Sequence, residues 1–207
     1  MGFVGGVKSE ATGKGAFAFG NECKATTEYA HAEGGDTEAT GIRSHAEGDG
    51  TKARGKAAHA EGIQTASYHE RFDKTLNGAN GVASHSEGLN TLADGDNSHA
   101  EGEDSASRGK NSHSEGKVTN ADGDNSHAEG YDTDAYGFAA HAEGGKTIAE
   151  GDYSHAEGVE TKANKQGAHV EGYQTQGNGE WVHAEGYKAI AAGNYSHAEG
   201  STTNAAG

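Results

Sequence analysis

Asn97-Ser98-His99-Ala100-Glu101-Gly102 is the stretch whose reading decides the fold, because it returns as Asn125-Ser126-His127-Ala128-Glu129-Gly130 and, with small changes, along nearly the whole chain. Histidines fall at His31, His45, His59, His85, His99, His113, His127, His141, His155, His169, His183 and His197, and each opens a His-x-Glu-Gly sequence. Every step between them is fourteen residues except His59 to His85, which is twenty-six. The partner glutamates are Glu33, Glu47, Glu61, Glu87, Glu101, Glu115, Glu129, Glu143, Glu157, Glu171, Glu185 and Glu199. Self-similarity at a fixed short period is the signature of a solenoid, in which each repeat is one coil stacked on the next.

The rest of the coil is also regular. Six residues after the histidine stands threonine in most coils, as at Thr37, Thr51, Thr65, Thr91 and Thr119, with Ser105 and Ala189 as variants. Alanine follows two residues later (Ala39, Ala53, Ala121) and glycine two beyond that (Gly41, Gly95, Gly123), with Lys165 as an exception. Phe17 and Phe19 take the histidine and glutamate slots of the coil before His31, and Phe3 takes the histidine slot one coil earlier, giving fourteen coils. One β-roll domain over 1–207 is expected, with degenerate N-terminal coils in 1–30, an inserted loop at 68–79 and regular coils from 80 to 207.

Alternation along a strand sends successive side chains to opposite faces. Ser98, Ala100 and Gly102 then point one way and His99 and Glu101 the other. In the second strand of a coil, Thr119 and Ala121 share a face, while Val118, Asn120 and Asp122 take the opposite one. Faces carrying only Ser, Ala, Thr and Gly approach closely, so a very narrow roll with glycine turns is expected. The varied face, with Lys52, Arg54, Asp134 and Lys162, reads as solvated exterior. At a strand spacing of about 4.8 Å per coil, a rod roughly 65 Å long follows.

Composition agrees with an unusual architecture. The 207 residues include 35 glycines, no proline and one cysteine, carry a net charge of −16, and are only 31% hydrophobic. Such a chain buries too little apolar area to fold as an ordinary globule. A stack of like coils escapes that limit by pairing its backbone throughout. The acidic balance excludes a non-specific nucleic-acid binder, which needs a basic stripe. No apolar run approaches the roughly 20 residues of a membrane helix, so no membrane insertion is expected. Met-Gly-Phe-Val-Gly-Gly is not a secretory leader, which points to a virion part or a fragment. Cys23 is alone, and no cofactor motif is present.

The coil resembles the head repeat of YadA-like trimeric autotransporter adhesins (the Hep/Hag family), read on Asn97–Gly102 and Asn125–Gly130. The His-x-Glu-Gly version is similar to repeats in tail-fibre proteins of phages and prophages. The resemblance covers the chain apart from the insert. It implies an all-β, left-handed parallel β-roll, a homotrimer around a threefold axis, no enzymatic activity, and a role in attachment outside the cell or on a virion. A bacterial adhesin head is the alternative setting. Here the chain departs from the adhesins, whose corresponding slots are commonly apolar.

That departure needs a reason. Twelve glutamates stacked about 4.8 Å apart repel unless compensated. A histidine column beside them supplies donors and, when protonated, cations. The expectation is a trimer seam in which each histidine bonds the glutamate of a neighbouring chain, with Phe17 and Phe19 as its apolar end. Setting aside the twelve repeat glutamates leaves 20 acids against 16 bases, so most of the charge belongs to this strip. A carboxylate neighbour favours imidazolium, so the seam is expected to loosen at alkaline pH. The rival readings are a column of transition-metal ligands and an exposed strip on a monomer.

Other features weigh less. The insert Tyr68–Ala79 is rich in aromatic and charged residues; Tyr68, Arg71 and Phe72 are candidates for contact with a neighbouring subunit or an unidentified cell-surface receptor, glycans included. Tyr173 and Tyr187 share one column and Tyr153, Trp181 and Tyr195 another, so Tyr173, Trp181 and Tyr187 join those candidates. Asp94-Gly95-Asp96 and Asp122-Gly123-Asp124 carry carboxylates at turns but lack the spacing of a calcium loop. Fragments of phosphate-loop and dinucleotide patterns at Gly145-Lys146-Thr147 and Gly13–Ala18 sit in repeat turns and carry no weight. The threonine column shares parity with alanine and so faces inward, which speaks against an ice-binding array.

Overall fold

The computed structural model describes residues 2–63 and 78–206, which form an all-β parallel solenoid of about fourteen turns without helix. The chain divides into two compact units, Met1–Ser107 and Arg108–Gly207. Each coil has a five-residue strand opening at the histidine slot and a two-residue strand at the alanine slot. In the first unit the long strands run from Phe3–Val7 to His99–Glu103 and the short ones from Glu10–Ala11 to Ala106–Ser107. In the second they run from His113–Lys117 to His197–Ser201 and from Asn120–Ala121 to Asn204–Ala205.

Register is strict within each unit. His31 pairs with His45, and Glu33 with Glu47, in parallel; His169 pairs with His183, and Glu171 with Glu185. The parity read from sequence holds. Ala100 and Thr119 are fully buried, His99 is half-buried and Glu33 and Glu157 are exposed. The interior is alanine almost throughout, as with Ala18, Ala32 and Ala46 in the first unit and Ala128, Ala142 and Ala156 in the second. With side chains this small, order comes from the backbone ladder, from glycines that permit close stacking and from hydroxyls that close turns. Ser44, Ser84, Ser98, Ser112 and Ser126 each donate to the glycine carbonyl three residues back, at 2.6–2.8 Å.

One coil varies this interior by compensation. Val170, fully buried, stands where most coils carry alanine. Gly177, which takes the alanine slot of the same coil, makes the room: a Cβ there would lie 2.8 Å from Val170 Cγ2 and 3.0 Å from Val182 Cγ2. Volume is thus exchanged across the core, the kind of swap close-packed interiors tolerate.

The corners differ from the expected glycine turns. Among the described residues the coils bend at two left-handed positions, one after the long strand and one before the serine slot, and most are not glycine: Glu22, Asp36, Val118 and Thr202 at the first, Arg43, Ala57, Asn97 and Trp181 at the second, all with φ of 50–60°. Side-chain-bearing residues in this region carry a cost of about 1–2 kcal/mol each. The corner amides offset it by donating to the coil below, as Asp36 does to Asn21 O and Arg43 to Glu28 O at 2.8 and 2.9 Å. Glycine is needed elsewhere, where coils approach too closely for a Cβ. At Gly34, with φ +118°, a Cβ would lie 2.0 Å from Gly48 O.

Two expectations about the outside are corrected. Gly78–Ala79 forms a regular short strand, with Ala79 paired to Ala53 and Ala93. The last two residues of the expected 68–79 insert therefore belong to a coil, and the extra residues lie between Ile63 and Gly78. Spacing fixes how many residues are added, not where the coil is broken. The varied face of the short strand is also not uniformly solvated. Asp134 is 4% exposed and accepts a 2.6 Å hydrogen bond from Asn120 Nδ2, and Leu92 and Ala106 form a small buried cluster.

Candidate functional site: the histidine–glutamate strip

The outer face of the long strands carries the candidate site. Because the coils stack in register, each imidazole lies over the next. Ring centroids are 4.5–4.9 Å apart from His31 through His45, His59 and His85 to His99. In the first unit the rings from His45 to His99 are nearly parallel, within 5°. In the second unit the spacing is 4.8–5.0 Å, but the rings from His127 to His183 tilt by 31–41° from neighbour to neighbour. The histidine column is therefore a stack of rings, a contact that reading along the strand did not suggest.

Each histidine also faces the glutamate two residues on in its own chain. Nε2 lies 3.4–3.8 Å from the carboxylate at His31–Glu33, His45–Glu47, His59–Glu61 and His85–Glu87. The same range holds at His127–Glu129, His141–Glu143, His155–Glu157, His183–Glu185 and His197–Glu199. These separations exceed an ordinary charge-assisted hydrogen bond. Only His169–Glu171, at 2.6 Å, is a short bond among the described pairs. The Nε2 atoms of His31, His45, His59, His85, His127, His141 and His155 are shut off from solvent and have no hydrogen-bond partner in the chain. His99–Glu101 and His113–Glu115 continue the same columns.

The electrostatics of the single chain run opposite in direction to what was expected of the seam. Burial, and then the neighbouring histidines, hold His45, His127 and His155 below the ordinary imidazole value, outweighing the attraction of Glu47, Glu129 and Glu157. A ring sandwiched between two others loses water on both faces, and charging it places a cation next to potential cations. Within one chain these three rings therefore favour the neutral form, and they lose stability on the acid side. Glu171 is held below the ordinary carboxylate value by its bond to His169.

The N-terminal coils continue the same face with hydrocarbon. Phe3 stacks on Phe17 at 5.1 Å, Phe17 on Phe19 at 6.3 Å, and Phe17 meets the edge of His31 at 4.6 Å. Phe3 and Phe19 are about half exposed. Tyr173 and Tyr187 stack at 5.4 Å within 4° of parallel, with Lys188 Nζ 5.1 Å from the Tyr187 ring. Trp181 is a left-handed corner residue whose ring lies over Gly167, where a Cβ would be 2.2 Å from Cε3. Tyr68, Arg71 and Phe72 lie outside the described residues.

The acidic turns have a structural task that the sequence did not show. Asp96 accepts the Val82 amide at 2.9 Å, and Asp94 accepts from Asn80 Nδ2 at 3.3 Å. Asp124 accepts the Lys110 amide at 2.8 Å, and Asp122 pairs with Arg108 at 2.8 Å. Each carboxylate ties its coil to the one before, and Asp152 does the same for Phe138. The signal was present in the twenty-eight-residue recurrence of these aspartates, Asp94 and Asp122 in one slot and Asp96, Asp124 and Asp152 in another. Among the described residues, His59, Glu61 and His85, and likewise His85, Glu87 and His99, in the first unit, and His155, His169 and Glu171 in the second, bring three possible metal-ligand atoms within 4.8 Å of one another. No protein-family model and no curated protein matches the chain.

Proposed function

We propose that this chain is a structural and adhesive segment of a homotrimeric attachment fibre, a left-handed β-roll whose histidine–glutamate strips meet at the subunit seam. The observation that supports this is the strip itself. One pair of side chains is repeated in every coil from His31 to His197, in register and half exposed, with glutamates at one-coil intervals. A face that repeats with the period of the coil is matched best by another face of the same period, and a second copy of the chain supplies one. Unpartnered Nε2 atoms and exposed carboxylates then find complements across the seam, and desolvated rings cease to be a cost. The phenylalanines of the first coils close the same seam with hydrocarbon.

The resemblance of the His-x-Glu-Gly coil to tail-fibre repeats favours a phage or prophage tail fibre over a bacterial adhesin head, and the receptor then belongs to the host surface. Tyr173, Trp181 and Tyr187, outside the strip, are the aromatic contacts proposed for a receptor or a neighbouring subunit. Native mass measurement of the untagged protein tests the seam directly. A trimer is expected; a monomer at micromolar concentration would overturn it.

A further inference from the structure

We propose that His59, Glu61 and His85 form a binding site for a divalent transition metal of the zinc class. The three side chains come together because the coils carrying His59 and His85 pair in register despite the twelve residues added between them. Their ligand atoms lie within 4.8 Å of one another. Both Nε2 atoms are shielded from water and lack a hydrogen-bond partner, facing glutamate oxygens that stand too far off to bond. In a neutral imidazole the unprotonated nitrogen is a ready ligand.

The separations fit a metal better than a hydrogen bond. His59 Nε2 is 3.6 Å from Glu61 Oε2. Two ligands bound to zinc at about 2.0–2.1 Å in tetrahedral geometry stand roughly 3.3 Å apart. The exposed Glu61 side chain closes that gap by a small swing. The two imidazoles, now parallel at a 4.8 Å centroid spacing, must tilt towards a shared ion. Tilts of about the required kind already occur in the column, 32° between His141 and His155 and 31° between His155 and His169.

Two imidazole nitrogens and one carboxylate select zinc, nickel or cobalt over calcium or magnesium, which take oxygen ligands. The fourth position stays open to water or to a group from outside the chain. His155, His169 and Glu171 form the comparable cluster of the second unit, but there the 2.6 Å His169–Glu171 bond must first be given up. The first site is therefore the tighter. It lies within one chain and does not depend on the trimer.

The test is equilibrium dialysis of the full-length untagged protein, stripped with chelator, against zinc chloride at pH 7.5, with bound metal read by elemental analysis. Saturable retention of roughly one or more zinc ions per chain at micromolar free metal is expected. His85→Ala should lower the number bound by at least one and Lys162→Ala should leave it unchanged. Because the alanine variant removes a stacked ring, Glu61→Gln is run beside it with its circular dichroism; a native spectrum with reduced zinc supports the site. Retention only at millimolar zinc, or equal zinc in H85A, E61Q and K162A, overturns it. Native mass of the chelator-treated protein bears on the fibre reading alone, so the two proposals fail separately.

Discussion

The two outer faces of this solenoid are built on the same coil and are treated in opposite ways. The outer slots of the long strands hold histidine and glutamate in every coil from His31 onwards. The outer slot of the short strands holds Lys24, Glu38 and Lys52, then Leu92 and Ala106, and in the second unit Asn120, Asp134, Ile148, Lys162, Gln176 and Ile190. The short-strand face shows that the coil accepts almost any side chain pointing outward. The phenylalanines at Phe3, Phe17 and Phe19 show that this tolerance extends to the histidine and glutamate slots themselves. The uniformity of the strip is therefore not demanded by the coil, and the proposed subunit seam would account for it.

Four experiments break or sharpen that comparison. The largest effect is expected from Gly130→Ala, which attacks the backbone stacking that both faces share. A Cβ there would lie 2.1 Å from Gly144 O, at a φ of +117°. A loss of about 4 kcal/mol or more is expected by thermal or denaturant unfolding; a variant as stable as the parent would mean that the stacking is looser than described. Next is Gly177→Ala, which overfills the core beside Val170 and should cost about 1–3 kcal/mol. Adding Val170→Ala should recover most of it, and additive losses in the double mutant would exclude the compensation.

Acid should separate the faces next. His45, His127 and His155 bind protons less readily folded than unfolded. The unfolded chain then takes up more protons as pH falls, so stability is full above the ordinary imidazole value, near pH 6.5, and is lost as pH drops through the depressed folded values. Melting temperature in chelator should fall between pH 7.5 and 5.5; a rise would mean that the glutamates dominate. Smallest is the paired comparison of His127→Ala with Lys162→Ala. Removing a stacked ring from the strip should cost about 1 kcal/mol, and removing an exposed lysine from the varied face less than about 0.5. A melting temperature lowered by about 2–4 °C in the first variant alone is the expected reading, and equal values for both would dissolve the distinction between the faces.

Much of the architecture could be read directly. The fourteen-residue period, the coil count and the inward direction of Ala100, Thr119 and Thr133 all follow from spacing and alternation, which are properties of the chain taken locally. The His/Glu strip was legible for the same reason. Its partners were not. Reading along the strand did not suggest that within the chain the rings touch the histidines one coil above and below. Burial, and then those neighbours, hold His127 below the ordinary imidazole value, opposite to the pH direction that a lone carboxylate partner implies. Asp96 and Asp124 were likewise seen as turn residues, without the amides they hold in the preceding coil.

The sequence by itself determined the coil: its length, its number, which side chains face in, and which two columns face out unchanged. Side-chain alternation and a fixed period are enough for that. Only the tertiary structure decided where the coil bends, since left-handed φ at Val118, Trp181 and Ala57 is imposed by stacking and runs against the preference of those residues. It alone placed Gly78–Ala79 within a coil and paired Gly177 with Val170. These features depend on residues brought together across the stack, at distances along the chain that no local pattern encodes.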